Sequence, residues 1–192
     1  MNQTIVSNFP AWLQAETKRR GEIFAEDEAR MRYVIGLSRR NVAEGTGGPF
    51  GAAVFERGSG ALLSVGVNLV MRSNCSHAHA EMVAIALAEQ LLGSYTLRME
   101  ASEYELVTSC EPCAMCFGAI PWSGVTRVVS GAKDADARTI GFDEGPKMAS
   151  WADVLRERGI EVNEGVCREE AAEVLRLYAA SGGSIYNGDA AP

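Results

Sequence analysis

The chain has little that would mark it for a membrane, a nucleic acid or an oxidising compartment. No stretch reaches the roughly 18 to 20 consecutive apolar residues that cross a bilayer, and Met1 to Ser7 shows no basic segment leading into an apolar run. Neither a membrane span nor a secretory leader is expected. Positive charge is in deficit, with 18 lysines and arginines against 25 aspartates and glutamates and a formal net charge of −7. No long-range field therefore gathers phosphate or anionic lipid around the molecule, and a nucleic-acid partner is disfavoured. Cysteine is scarce and odd in number: three of the five crowd together as Cys110, Cys113 and Cys116, whereas a secreted scaffold spreads an even set along the chain. A reduced, cytoplasmic setting is expected, and the crowding points to metal or redox chemistry.

No internal repeat, low-complexity tract or Pro/Gly/Ser-rich linker divides the 192 residues, of which 47% are hydrophobic and 22% charged. That is enough chain for one core and too little for two enzyme-sized domains, so residues 1–192 are read as a single domain. Residues 1–25 are the least core-like part and are expected to form an arm packed on the surface. Lys18, Arg19 and Arg20 lie there among Glu16, Glu22, Glu26, Asp27 and Glu28 and read as a solvated face.

From Ala25 to Glu44, Met31, Val34, Ile35 and Val42 are spaced for one face of a helix that Gly45 stops. Phe50 to Arg57 and Ala61 to Asn68 flank Arg57-Gly58-Ser59-Gly60 and predict a β-hairpin. His79 to Leu92 predicts a helix buried on most of its surface, Glu103 to Thr108 a strand, and Cys113 to Ile120 a helix that Pro121 should end. Arg127 to Ala132 reads as a strand and Asp134 to Lys147 as a loop. A helix around Trp151 to Arg158, a strand at Ile160 to Val166 and a helix at Arg168 to Ala180 complete the chain. Strands alternating with helices imply an α/β protein, a three-layer α/β/α sandwich around a mixed sheet whose first two strands run antiparallel.

The sharpest chemical signal pairs His79-Ala80-Glu81 with Pro112-Cys113-Ala114-Met115-Cys116, each opening a predicted helix. Cysteines three apart at a helix start aim both sulfurs at one point, and the positive end of the helix favours their thiolates. With His79 as third ligand, two thiolates neutralise Zn²⁺ and leave the fourth tetrahedral position open to water, as a catalytic rather than a structural zinc requires. Glu81, in the first turn of a helix otherwise committed to the core, is suited to take a proton from that water and pass it on. H-x-E with P-C-x-x-C is a signature of zinc deaminases acting on bases. His77 lacks a glutamate two residues on and is read as a polar contact at the pocket rim. Cys110 lacks the partners of an iron–sulfur run, Cys75 and Cys167 read as ordinary small residues, and Met115 as packing.

These motifs resemble the cytidine deaminase superfamily and, within it, the guanine deaminase branch. The resemblance extends through Gly47-Gly48-Pro49-Phe50-Gly51-Ala52, Asn68, the two zinc motifs, Phe142-Asp143-Glu144-Gly145 and Ile185-Tyr186-Asn187. It implies a five-stranded mixed sheet, one Zn²⁺ per chain, and a homodimer in which the tail, residues 181–192, closes over the pocket and is exchanged between subunits. Pro121 departs from the bulkier residue usual before the tryptophan.

On its own residues Asn68 is as consistent with a turn as with a base-reading amide, Phe50 reads first as core, and Asp143 and Glu144 read first as a solvated acidic loop. The resemblance assigns Phe50, Asn68, Asp143 and Tyr186 to substrate and makes Glu144 a second catalytic carboxyl. Guanine presents N1–H and a 2-amino group side by side, two donors that a carboxylate accepts, whereas adenine offers a bare acceptor at N1. The expected activity is therefore hydrolytic deamination of guanine to xanthine and ammonia, a reaction of purine metabolism. Isocytosine and amino-triazines share the donor edge. A tRNA adenosine or cytosine deaminase is the rival, and a non-catalytic zinc protein would want four protein ligands where three fit.

Overall fold

Small and β-branched residues dominate the central strands because both faces of the sheet are covered. In a computed structural model that describes residues 8–187, β1 (Gly51–Glu56) pairs antiparallel with β2 (Leu62–Val67) and with β3 (Tyr104–Cys110). β4 (Arg127–Ala132) and β5 (Glu161–Asn163) then add in parallel, giving the order β2-β1-β3-β4-β5. Along β1, Ala53 and Phe55 join one apolar cluster while Ala52 and Val54 join the other, the alternation expected of a strand between two layers. The first cluster takes Met31, Val34 and Leu37 from α2 (Asp27–Ala43) and Ala171, Val174 and Leu175 from α8 (Arg168–Ala180). The second takes Ala84, Ile85 and Ala88 from α4 (Ala80–Leu92), Ile120 from α5 (Ala114–Ser123) and Leu155 from α7 (Trp151–Glu157). The α/β/α sandwich with a five-stranded mixed sheet is thus present.

Topology decides where chemistry collects. Both β2 and β3 run antiparallel to β1, so they share a direction and end at the same edge of the sheet. Each leads toward a helix whose N-terminus stands at that edge: His79 caps α4 and Cys113 caps α5. Close approach of α4 to β2 depends on Gly66, where a Cβ would fall 2.6 Å from the Ala84 nitrogen and against the Ala80 carbonyl. At the opposite edge the fully buried Glu105 carboxylate accepts from Arg30 and, at 2.7 Å, from Arg127, which also binds Asp27. Removing one partner from that network would leave an uncompensated buried charge.

Several expectations are corrected. The N-terminal segment is not simply a surface arm: α1 (Ala11–Glu16) buries Leu13 and Trp12 in the core, and a 3₁₀ turn follows at Thr17–Arg19. Two aromatic and aliphatic side chains close together suffice to bury one face of so short a helix. Arg19 of the basic triplet is exposed and paired with Glu16 and Glu22, as a solvated face requires. A further helix, α3 (Val70–Ser73), follows Asn68. The expected loop after β4 begins as α6 (Asp134–Thr139), because Asp134 and Asp136 occupy its first turn, Asp136 caps the Lys133 amide and Arg138 pairs with Asp134 four residues back. Pro121 lies inside α5, which ends only at left-handed Gly124, with the Ser123 carbonyl accepting from Leu97. The last strand is shorter than expected. Residues 1–7 of the expected arm and 188–192 of the expected tail lie outside the described residues.

Candidate active site

The three expected metal ligands converge from two helix N-termini. His79 Nδ1 lies 3.5 Å from Cys113 Sγ and 3.7 Å from Cys116 Sγ, and the three ligand atoms all fall within 4.8 Å of one another. Tetrahedral zinc with bonds of about 2.0–2.3 Å separates neighbouring N and S ligands by roughly 3.6 Å, so the donor set has the spacing and the chemistry for that ion.

Electrostatics favour the same reading. The Cys113 thiol is lowered to about 4, first by a hydrogen bond from Cys116 and then, against burial, by His79. Cys116, as the donor in that bond and buried beside Glu81, is held well above the ordinary thiol range. Burial opposes the charged imidazole of His79, but the hydrogen bond to Cys113 and the nearby carboxylates of Glu81 and Glu144 outweigh it and raise its pKa. A proton shared between two thiols is what a dication displaces on binding.

Two buried carboxyl groups beside this cluster, Glu81 and Glu144, face a cavity of about 840 Å³ that Glu111 and Asp143 also line. Glu81 follows His79 in the first turn of α4; it is 6% exposed, and burial followed by the negative Cys113 raises its pKa. Glu144 is also 6% exposed, pushed up to about 8 by burial and then by Cys113 and Glu81, against the pull of Lys147. Both acids that the resemblance assigns to the site line the cavity: Glu144 is buried, while the Asp143 side chain is exposed at the mouth. The Asp143 carboxylate accepts the Gly145 amide at 2.9 Å and lies 3.6 Å from Arg138.

Aromatic and amide side chains contribute much of the remaining wall. Phe50 and Phe142 meet edge to face with ring centres 5.0 Å apart, and Tyr186 packs on Phe142 at the same distance. Asn68, nearly fully buried, lines the cavity and accepts the Val70 amide on Oδ1 at 3.2 Å, so its turn-forming and site-lining readings hold together. From the tail, Asn187 Oδ1 accepts the Asp143 amide at 2.9 Å and its Nδ2 donates to the Gly141 carbonyl at 3.1 Å. The buried Tyr186 hydroxyl has no hydrogen-bond partner among the described residues. Within the one chain, then, Ile185 to Asn187 close the chain's own cavity.

His77 does not reach the rim as expected: its exposed ring lies 3.4 Å from Cys75 Sγ, because the turn before α4 directs it away from the cavity that Ser76 and His79 line. Cys110 stands outside the ligand group, buried with its Sγ 3.7 Å from the Lys133 carbonyl. Met115 is partly exposed rather than packed. Sequence reading passed over Phe142 as a wall of the cavity, Asn187 as the latch of the tail, and the fully buried Asn41 behind Asn68. Phe142 and Asn187 stood in segments that carried the resemblance without being given a role, and Asn41 left the signal of an amide on the core face of α2.

The cytidine and deoxycytidylate deaminase zinc-binding region matches residues 25–132 of this chain. The solved structure of guanine deaminase from Nitrosomonas europaea is similar at 45% identity, covering 94% of this chain and 98% of that one with a TM-score of 0.88. Guanine deaminase of Bacillus subtilis is 41% identical over 117 residues, 61% of this chain and 71% of the relative. The tRNA-specific adenosine deaminase of Haemophilus influenzae is 31% identical over 152 residues, 79% of this chain and 82% of the relative.

Proposed function

The chain belongs to the cytidine and deoxycytidylate deaminase family, and from that premise we propose that it is a zinc-dependent guanine deaminase, hydrolysing guanine to xanthine and ammonia. The observation that carries the choice of base is Glu144: a buried carboxyl beside Glu81 in the same cavity, where the other buried carboxyl, Glu111, is paired with Lys147 at 3.5 Å. A base whose reacting edge carries N1–H beside an amino group offers a donor to the carbonyl oxygen of such a group and a leaving amine that takes its proton.

Zinc held by His79, Cys113 and Cys116, one ion per chain, supplies the Lewis acidity that makes water nucleophilic near neutral pH. Glu81 takes the proton that the attacking water gives up and delivers it to the ring nitrogen beside C2. A C–O bond forms at C2, the C2–N bond to the amino group breaks, and the amine leaves as ammonia. Glu144, pushed toward its protonated form by burial and then by Cys113 and Glu81, would accept from the base edge through its carbonyl oxygen and give its proton to the leaving amine, and the proton of the new C2 hydroxyl would then restore it as the C2 carbonyl forms. Phe50 stacks on the ring, Asn68 reads its edge, and Asp143 shapes the mouth. Tyr186 closes the wall and excludes bulk water.

A tail that roofs the cavity and a net charge of −7 both oppose a polynucleotide substrate. A non-catalytic zinc protein would have no use for two buried carboxyls at the metal cluster. We include in the proposal a homodimer and a cytoplasmic location; among the described residues no helix is long and apolar enough to cross a membrane. The decisive experiment measures ammonia released from guanine, isocytosine, ammeline, adenine, cytosine and cytidine, and from tRNA. Fastest release from guanine is expected, and activity confined to adenosine in tRNA would overturn the proposal.

A further inference from the structure

Two loops that build the base-binding wall meet on one amide outside the cavity. Asn41, in the last turn of α2, is fully buried. Its Nδ2 donates to the Gly48 carbonyl and to the Asn68 carbonyl, each at 2.9 Å, which uses both of its hydrogens. Its Oδ1 accepts from the Thr46 hydroxyl at 2.7 Å, and the Trp12 indole nitrogen donates to that same hydroxyl at 3.1 Å. The packing is tight on every side. A Cβ at Gly47 would lie 2.7 Å from Asn41 Nδ2 and against the Asn68 carbonyl, and a Cβ at Gly48 would overlap the Tyr186 ring.

The two carbonyls held by Asn41 belong to the segments that present the substrate-facing groups. Gly48 precedes Phe50 and seats Tyr186, and Asn68 is the amide assigned to the base edge. The segments are joined directly by one bond, from the Asn68 amide to the Phe50 carbonyl at 3.0 Å. Without a donor between them, two buried carbonyl oxygens aimed at one point repel each other and lack partners, and the loops relieve this by moving apart. Binding that depends on a base slotted between Phe50 and Asn68 is sensitive to such a shift, since a displacement of about 1 Å can cost a hundredfold.

We propose that Asn41, oriented by Thr46 and through it by Trp12, is a positioning residue for base recognition, fixing the separation of the Phe50 and Asn68 loops. The inference rests on the reading of Asn68 as the base-edge ligand. It assigns to the N-terminal helix α1 a part in substrate selection, by way of Trp12.

The test is a double-mutant cycle in kcat/KM for guanine, with Asn41→Leu, Asn68→Ala and the double variant, each rate referred to zinc-loaded protein well below its melting temperature. Asn41→Leu should lower kcat/KM by about tenfold or more, mainly through KM, with zinc content unchanged, as expected for losing two buried hydrogen bonds. In the Asn68→Ala background the same change should cost less than about threefold, since the group being positioned is already gone. Equal losses in both backgrounds, or a lowered Tm with wild-type kinetics, would overturn the proposal. If Asn41→Leu does not fold, Thr46→Val carries the cycle: it takes the hydroxyl from Asn41 Oδ1 and from the Trp12 indole but leaves both Nδ2 bonds, and its expected loss of about threefold should likewise vanish beside Asn68→Ala. Lack of guanine turnover by the wild-type protein would strike the reading of the whole site, whereas guanine turnover with additive losses strikes only the role of Asn41.

Discussion

The Ala114 amide donates a 2.9 Å hydrogen bond to the Glu144 carbonyl. That bond ties the loop after α6 to the first turn of α5, between Cys113 and Cys116, and so sets a carboxyl from late in the chain beside the converging His79, Cys113 and Cys116 side chains. Arg138 holds the same loop through the Gly145 carbonyl at 3.0 Å, and Lys147, buried between Glu111 and Asp134, pins its far end. Glu144 is thereby presented by a braced segment, and its chemistry follows from the placement.

Replacing Cys113 by alanine should abolish stoichiometric zinc. Two ligands remain, and the thiol most ready to ionise is lost. Metal analysis of the wild type should give about one zinc per chain and the variant well below half of that, since a catalytic site of this type needs three protein ligands. Full zinc and full activity in Cys113→Ala would exclude the assignment.

Glu81→Gln should keep fold and zinc but lower kcat by a factor on the order of a hundred or more, because it removes the proton carrier and nearly preserves shape. Steady-state kinetics with parallel zinc analysis is the check. Near-normal turnover would show that another group moves the proton.

Glu144→Gln should impair guanine turnover by roughly tenfold to a hundredfold without loss of zinc, since an acceptor and a proton donor go together. It should also change the dependence of stability on pH. With its pKa raised from 4.5 to about 8, the folded protein holds a proton that the unfolded chain has released, so this group's contribution is full below 4.5 and is lost as pH climbs toward 8. Melting temperatures of the metal-free proteins should therefore favour the glutamine variant increasingly between pH 5 and pH 8.5; a constant difference would refute a raised pKa.

Ending the chain after Gly183 removes Ile185, Tyr186 and Asn187 from the cavity. Zinc should be retained, while kcat/KM for free bases falls by about tenfold through loss of the closing wall. Mixing truncated chains with Glu81→Gln chains then reads the source of the tail. Recovered activity identifies exchange between subunits, and none identifies closure within one chain. Wild-type kinetics in the truncated protein would remove the tail from the mechanism.

The ligand set was legible because its signal is local. His79 with Glu81, and Cys113 with Cys116, are short spacings at helix starts, where the backbone alone fixes which way side chains lean and which charge is favoured. The strands were equally legible, since β1, β2, β3 and β4 carry an apolar pattern that only a covered sheet can accommodate. Errors fell where long-range packing overrides a local rule. Pro121 stays within α5 because the helix end is docked on Leu97, and Leu13 is buried because the core has room for it. His77 resembles His79 in type and neighbourhood but turns toward Cys75.

What the sequence determined by itself is the kind of chemistry: two thiolates, an imidazole and a carboxyl at spacings that suit one zinc and one proton transfer. What only the tertiary structure decided is which further groups share that chemistry. Asp143 and Glu144 are adjacent acids in one loop, yet one is exposed at the mouth and the other buried in the cavity. Asn41 and Asn68 lie on different elements, yet meet at 2.9 Å. Neither outcome follows from residue type or spacing, because burial and hydrogen-bond partnership are set by which distant segments fold against each position, and those contacts exist only once the sheet and its layers have closed.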